Sequence, residues 1–265
     1  MHSSCSERLK VFEFAKNALL FYSGHSDELS CQTAKLLLGS PKKYKRAEII
    51  YASGCVFTRH CIFTLCGAHY NNICLNGVAI EQNRVYEAHK GDSLKFSGLE
   101  LGFRLYLMAS TFKAGRLGCY RQSFERCFTP AKAKIRVIKG PEFDYLNDAG
   151  EFLDRPFVIS ANSDLSGLRL EGKKIAARQY DIISSIVADG LVQLTATGPI
   201  VLLRQRQLTG GYPRIFSIIK TDLDFLAQYQ VGAVVRFELI DINAAKALLL
   251  QREIELNTIR FPCSA

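Results

Sequence analysis

The chain has 265 residues, 48% hydrophobic and 22% charged, with a formal net charge of +9 at pH 7. That length and apolar content suffice for one large core or two smaller ones and exclude a disordered chain. No apolar run is long enough for a membrane helix, because Ile49 to Ala68 is broken by Arg59 and His60. Glu7, Arg8, Lys10 and Glu13 stand where a signal peptide needs an apolar centre, so the expected location is the cytoplasm, away from membranes.

In chain order, apolar periodicity predicts a helix over 31–38 and strands over 49–51, 56–65, 93–96, 104–108 and 135–138. Further strands follow at 192–195, 200–203, 215–219 and 234–240, with a helix over 222–230. The Ala-, Leu-, Gln- and Glu-rich stretch over 243–256 predicts a C-terminal helix. Short strands at this spacing favour a mainly β fold with a few helices, a barrel or a sandwich. Lys90 to Phe96 and Val231 to Phe237 echo one another, each placing a glycine turn before a strand that ends in a basic residue and Phe. A polar, basic linker over 121–134, containing Pro130, predicts two β-rich subdomains, residues 1–130 and 131–265.

Nine cysteines form no CxxC pair and their odd number opposes a complete disulfide framework, which points to reduced thiols. His60-Cys61 with Cys66-x-x-His69 can be drawn as a zinc site, but the alternation through 55–65 reads as a strand with small apolar cysteines inside. No metal site is expected on that reading. The basic run Pro41 to Arg46 is explained by a solvated loop, and nucleic-acid binding is not expected without a recognition motif.

The most constrained segment is Arg206 to Ile215, Arg-Gln-Leu-Thr-Gly-Gly-Tyr-Pro-Arg-Ile. Gly210 and Gly211 allow close backbone approach, Pro213 fixes its own φ, and Tyr212 before it is pushed toward extended backbone. Thr209 and Tyr212 supply hydroxyls, while Arg206 and Arg214 supply planar cations suited to carboxylate or phosphate. Two readings stay open: a hairpin corner between 200–203 and 215–219, or a ligand-binding loop.

Thr209 to Ile215 resembles the signature of the KipA family, also called the 5-oxoprolinase C subunit or allophanate hydrolase subunit 2-like, related to the carboxyltransferase domain of urea carboxylase. Ser163 to Gly172, Arg136 to Glu142, Gly190 to Gln193 and Pro199 to Leu203 are similar to further family motifs and fall in the family's order. The likeness is strong after Ile135 and thinner before it. It implies a cyclophilin-like β-barrel for at least the second half. It also implies a subunit that acts beside two others, a KipI-like protein and a LamB/YcsF-like protein, opening 5-oxoproline to glutamate with ATP hydrolysis, or else a related biotin-dependent carboxyltransferase-like protein. No tightly bound cofactor is implied for this chain; ATP would serve the complex, and biotin dependence stays open.

Such an enzyme holds a carboxylate and a phosphate together. Arg169, Arg206 and Arg214 suit those anions, and the Gly210 and Gly211 N–H groups suit an oxyanion or phosphate. Glu171 lies two residues after Arg169, on the same face if the segment is a strand, and is the candidate for acid–base or orienting work; the alternative is an Arg169–Glu171 ion pair that holds the barrel. Gln193 and Gln207 could fix a ligand amide, Gly140-Pro141 reads as a turn, and Glu142 is a further candidate. The chain departs from the family pattern at Ser185 and Gln205, where the family has acids, at Ala188-Asp189, and in its N-terminal motif, of which Ser23 to Asp27 is a remnant. These departures favour an alternative function, a non-catalytic regulatory partner of a KipI-like protein.

Overall fold

The structure is a computed structural model that describes residues 11–21, 26–111 and 134–260, with side chains as far as 257. Residues 121–133 of the predicted linker, Ser23 to His25, and Cys5, Cys119, Cys127 and Cys263 lie outside the described residues. The chain divides into two units, Met1–Phe128 with Ile254–Ala265, and Thr129–Glu253.

The first unit contains β1 (Phe12–Phe14), β2 (Leu19–Phe21), α1 (Glu28–Leu37), β3 (Lys45–Tyr51), β4 (Gly54–Phe57), β5 (Cys61–Leu75), β6 (Val78–Ala79), β7 (Val85–Ala88) and β8 (Ser93–Ser110). The strand predicted over 56–65 is two strands, β4 and β5, which pair separately with β8. The strands predicted over 93–96 and 104–108 are one, because Gly98 (φ 69°) and Gly102 (φ 84°) do not end the strand that contains them. The β5–β8 ladder shifts register across Gly67 to Tyr70, with Gly67 at φ 105°. A left-handed residue beside a bulge bends a ladder without terminating it.

α1 starts before the predicted 31, since the Asp27 carboxylate accepts from the Ser30 N–H at 3.0 Å and caps the first turn. The Asp27 N–H in turn donates to the Tyr106 hydroxyl at 2.8 Å. Beside it the buried Glu48 accepts from Arg104 Nε at 3.0 Å and from the Ser26 N–H at 3.1 Å. A buried carboxylate paired in this way is satisfied and structural.

The second unit contains β9 (Ile135–Lys139), α2 (Ala149–Leu153), β10 (Phe157–Ile159), β11 (Gly167–Glu171), β12 (Ser185–Ile186), β13 (Leu191–Thr195), β14 (Gly198–Leu202), β15 (Thr209–Gly210), β16 (Arg214–Ile218), α3 (Lys220–Leu226), β17 (Val234–Val235), β18 (Phe237–Leu239) and α4 (Ile242–Arg260). α4 continues past Glu253, where the unit ends. The main sheet runs β17-β10-β11-β14-β13-β16-β9-β18. Its two outermost strands are neighbours in sequence: β17 pairs antiparallel with β10, and one residue later β18 pairs in parallel with β9. The predicted strand over 234–240 therefore joins both ends of the sheet and closes it into a barrel, leaving no free edge there. Phe152 fills the interior, with ring centroids 4.9 Å from Phe157, 5.1 Å from Phe216 and 5.4 Å from Phe237. The echoed motifs share a device: Gly91 (φ 96°) and Gly232 (φ 84°) each turn the chain just before a strand, β8 and β17.

Candidate functional site

β13 is buried along its whole length and lies between β14 and β16. Because those two strands both pair with β13 and not with each other, the loop over 203–213 is not the corner of a hairpin. It bridges the two neighbours of β13, and on the way β15 forms a separate two-stranded ladder with β12, Ser185 opposite Gly210 and Ile186 opposite Thr209. A Cβ at Gly210 would stand 2.6 Å from Gln193 Nε2, so a larger residue there would have to displace the end of the Gln193 side chain. The buried Gln193 amide donates to the Tyr212 carbonyl at 3.4 Å, and the Gly211 carbonyl accepts from the Ile182 N–H at 2.8 Å. The loop is thus seated on Gln193, with Tyr212 held at its far end.

Tyr212 opens onto a cleft of about 280 Å³ lined by Arg169, Tyr180, Asp181, Thr195, Ala196, Thr197, Ile200 and Tyr212. Its polar groups come from distinct elements. Arg169 projects from the exposed face of β11, while Thr195 to Gly198 form the tight turn between β13 and β14. Thr195 Oγ1 donates to the Gly198 carbonyl at 2.8 Å and lies 2.9 Å from Thr197 Oγ1. Tyr180, which also lines the cleft, donates its hydroxyl to the Ile175 carbonyl at 2.6 Å. Among the described residues, the Arg169 guanidinium forms no ion pair. Its charge helps hold the Asp164 carboxyl below the ordinary range, after hydrogen bonds from Ser166 and Gly167, which dominate.

Glu171 is on the same exposed face of β11 as Arg169. It accepts a hydrogen bond from Ser160 Oγ, so the Arg169–Glu171 pair considered as a barrel brace is not made. Arg214 is engaged elsewhere: Nε reaches Glu142 Oε2 at 2.8 Å, Nη2 reaches Oε1 at 2.5 Å, and Nη1 donates to the Ile186 carbonyl at 3.0 Å. This fork lowers the Glu142 carboxyl below its usual range and raises Arg214 further. Arg206 Nε lies 3.1 Å from Asp189 Oδ1, whose other oxygen is 3.8 Å from Arg204 Nη1.

Of the residues selected from sequence, Arg169 and Tyr212 line the cleft, while Gln193, Gly210 and Gly211 support the loop that carries Tyr212. Thr209 sits exposed in the β12–β15 ladder, and Arg206 and Arg214 face carboxylates. Sequence reasoning missed Tyr180, Asp181, Thr195 and Thr197. The Thr-Ala-Thr-Gly turn at the end of a predicted strand was the available signal for the threonines; Tyr180 and Asp181 lie in an irregular segment with no periodic pattern. Among the described residues, His60, Glu87 and His89 of the first unit are the one group of three ligand side chains able to hold a metal.

Comparison with known proteins agrees with this architecture. The model of the carboxyltransferase domain, subdomain A and B, matches residues 20–116 and 118–239. The 5-oxoprolinase C subunit of Haemophilus influenzae is 25% identical over 281 residues, covering 90% of this chain and 89% of the relative. That of Escherichia coli is 38% identical over 109 residues, 39% of this chain and 35% of the relative. Among solved structures, K. lactis urea amidolyase superimposes with a TM-score of 0.78 at 16% identity over 94% of this chain, which spans 20% of that protein. TTHA0988 superimposes with a TM-score of 0.73 at 21% identity, over 87% of this chain and 56% of that one. These two likenesses show the fold. With its matched segments spanning both units, the chain belongs to the carboxyltransferase-domain family, subdomains A and B.

Proposed function

We propose that this chain is the C-type subunit of an ATP-dependent 5-oxoprolinase complex, working with KipI-like and LamB/YcsF-like subunits in a reducing, cytoplasmic setting. The observation that carries the reading is the Arg169 guanidinium, which borders a small cleft with threonine and tyrosine side chains and has no ion-pair partner among the described residues. A planar cation in that position suits the carboxylate of a small substrate, and threonine and tyrosine hydroxyls suit a lactam amide. The cleft volume is at the low end for small-molecule sites, in keeping with a five-membered ring. The described cysteines, Cys31, Cys55, Cys61, Cys66 and Cys74, are all free thiols, which supports the reducing compartment.

The lactam carbonyl is a poor electrophile. Transfer of the ATP γ-phosphoryl group to its oxygen makes the carbon attackable by water; the C–N bond then breaks, nitrogen gaining the electron pair and a proton, and hydrolysis of the remaining acyl phosphate yields glutamate and phosphate. The part assigned to this chain is to hold the substrate, with Arg169 on its carboxylate and Gln193 setting Tyr212. Glu171 and Asp181 are the carboxylates near enough in the fold to be tested for proton transfer.

The test is ATP-dependent glutamate formation from 5-oxoproline by the reconstituted complex. Arg169→Ala is expected to raise KM by at least about tenfold, with Arg169→Lys intermediate, as for loss of a charge-assisted contact. Turnover with an unchanged KM in Arg169→Ala would remove Arg169 from the site. Engagement of both Arg206 and Arg214 by carboxylates favours a second reading, a regulatory partner of the KipI-like protein. Complex formation without any turnover by the wild type would select it.

A further inference from the structure

The first unit holds a ligand cluster that the proposed reaction does not use. β5 and β7 pair antiparallel with Cys61 opposite Ala88 and Ile62 opposite Glu87, so the register carried one residue outward sets His60 opposite His89. Glu87 and His89, two apart, share a face of the strand, and His60 meets them from the neighbouring one. His60 Nε2 lies 2.5 Å from Glu87 Oε1, and the two imidazole rings stack with centroids 4.8 Å apart and planes 11° from parallel. One ligand atom from each of the three residues lies within 4.8 Å of the others. Asp92 steadies the backbone here, accepting from the His89 N–H at 2.7 Å and from Asn76 Nδ2 at 2.9 Å.

We infer that His60, Glu87 and His89 form a surface binding site for a zinc-class divalent transition-metal ion. Two imidazoles and one carboxylate are the borderline donors such ions take, whereas magnesium and calcium favour all-oxygen sets. Metal–ligand bonds of about 2.0 Å set tetrahedral ligand atoms ~3.3 Å apart, so an ion entering the site would open the His60–Glu87 contact by roughly 0.8 Å and draw the widest-spaced ligand atoms together by up to roughly 1.5 Å, rotamer adjustments open to exposed side chains on a fixed ladder. Three protein ligands leave a position open to water or to a carboxylate of another molecule. The grouping drawn from sequence, His60-Cys61 with Cys66 and His69, does not assemble: Cys61 and Cys66 are buried, and His69 Nδ1 is occupied by Glu100 Oε2 at 2.9 Å.

Titration of the tag-free full chain with Co²⁺, followed by visible absorption and displaced with Zn²⁺, tests the site. One equivalent should bind with the spectrum of nitrogen and oxygen ligands and without a thiolate charge-transfer band. The His60→Ala/His89→Ala variant should lose this spectrum, and Glu87→Gln, which keeps the shape of the side chain, should bind at least about tenfold more weakly. All three positions are exposed, so the far-ultraviolet circular dichroism of both variants should match the wild type. A thiolate band, unchanged binding in the double variant, or no binding by the wild type would overturn the assignment.

Discussion

Gly140 does more than turn the chain. A Cβ at this position would stand 2.1 Å from the Arg214 carbonyl oxygen and 2.9 Å from the Ile215 carbonyl carbon, both backbone atoms that cannot rotate away. The Gly140 N–H donates to the Ile215 carbonyl at 3.0 Å and the Glu142 N–H to the Arg214 carbonyl at 3.2 Å, with Pro141 between them having no N–H to satisfy. Gly-Pro-Glu is thus the device that lays Glu142 against Arg214. Gly140→Ala should therefore cost about 1–3 kcal/mol, the range for overpacking, and toward its upper end because the opposing atoms are backbone. Urea unfolding of the variant measures it; a loss under about 0.5 kcal/mol would show that the two backbones separate freely.

At the level of elements, the Glu142–Arg214 fork ties the turn after β9 to the first residue of β16. Both side chains are largely buried, 15% and 17% exposed, so screening by solvent is limited. Glu142 has a folded pKa below its ordinary value, chiefly through the Arg214 side-chain hydrogen bonds. A carboxyl lowered in this way contributes stability that is present above the unfolded pKa and is lost as pH falls through the folded one. Glu142→Gln should cost about 1–3 kcal/mol at pH 7, and the gap between wild type and variant should narrow as pH falls below about 4. A constant gap from pH 7 to pH 3 would refute the charge-based account. The strands predicted over 135–138, 192–195, 200–203 and 215–219 were legible because their apolar residues fill a closed barrel and run nearly unbroken. Other elements were not legible: a glycine inside a bulged strand and a glycine that ends one look alike locally, so β8 was divided at Gly98 and Gly102. Gly210-Gly211 suggested a corner because the strand lying between β14 and β16 is set by pairing, not by the loop itself. At the candidate site the sequence supplied the loop and Arg169, but the carboxylates that engage Arg206 and Arg214 come from Asp189 and, 72 residues away, Glu142. Such pairings follow from topology alone.

Across the whole molecule, each unit has its own hydrophobic centre. Phe63 sits in a cluster drawn from Val11 to Ala109, 4.7 Å from the Phe57 ring, while Phe152 sits in one drawn from Ile135 to Phe237. Barrel closure through β17 and β18 makes the second cluster cooperative, because losing Phe152 removes contacts with Phe157 of β10, Phe216 of β16 and Phe237 of β18 together. Phe152→Ala should then cost about 3–5 kcal/mol within that unit. At about 1.4 kcal/mol per decade, this is a rise of roughly 10²- to 4 × 10³-fold in amide exchange for peptides of β13 and β16 that exchange through opening of the barrel. Peptides of β5 and β8 should keep their rates, and Phe63→Ala should give the reverse pattern. Hydrogen exchange read by peptide mass separates the two cases. Equal acceleration everywhere in both variants would mean that the chain unfolds as one cooperative body, and that separate cores do not confer separate stability.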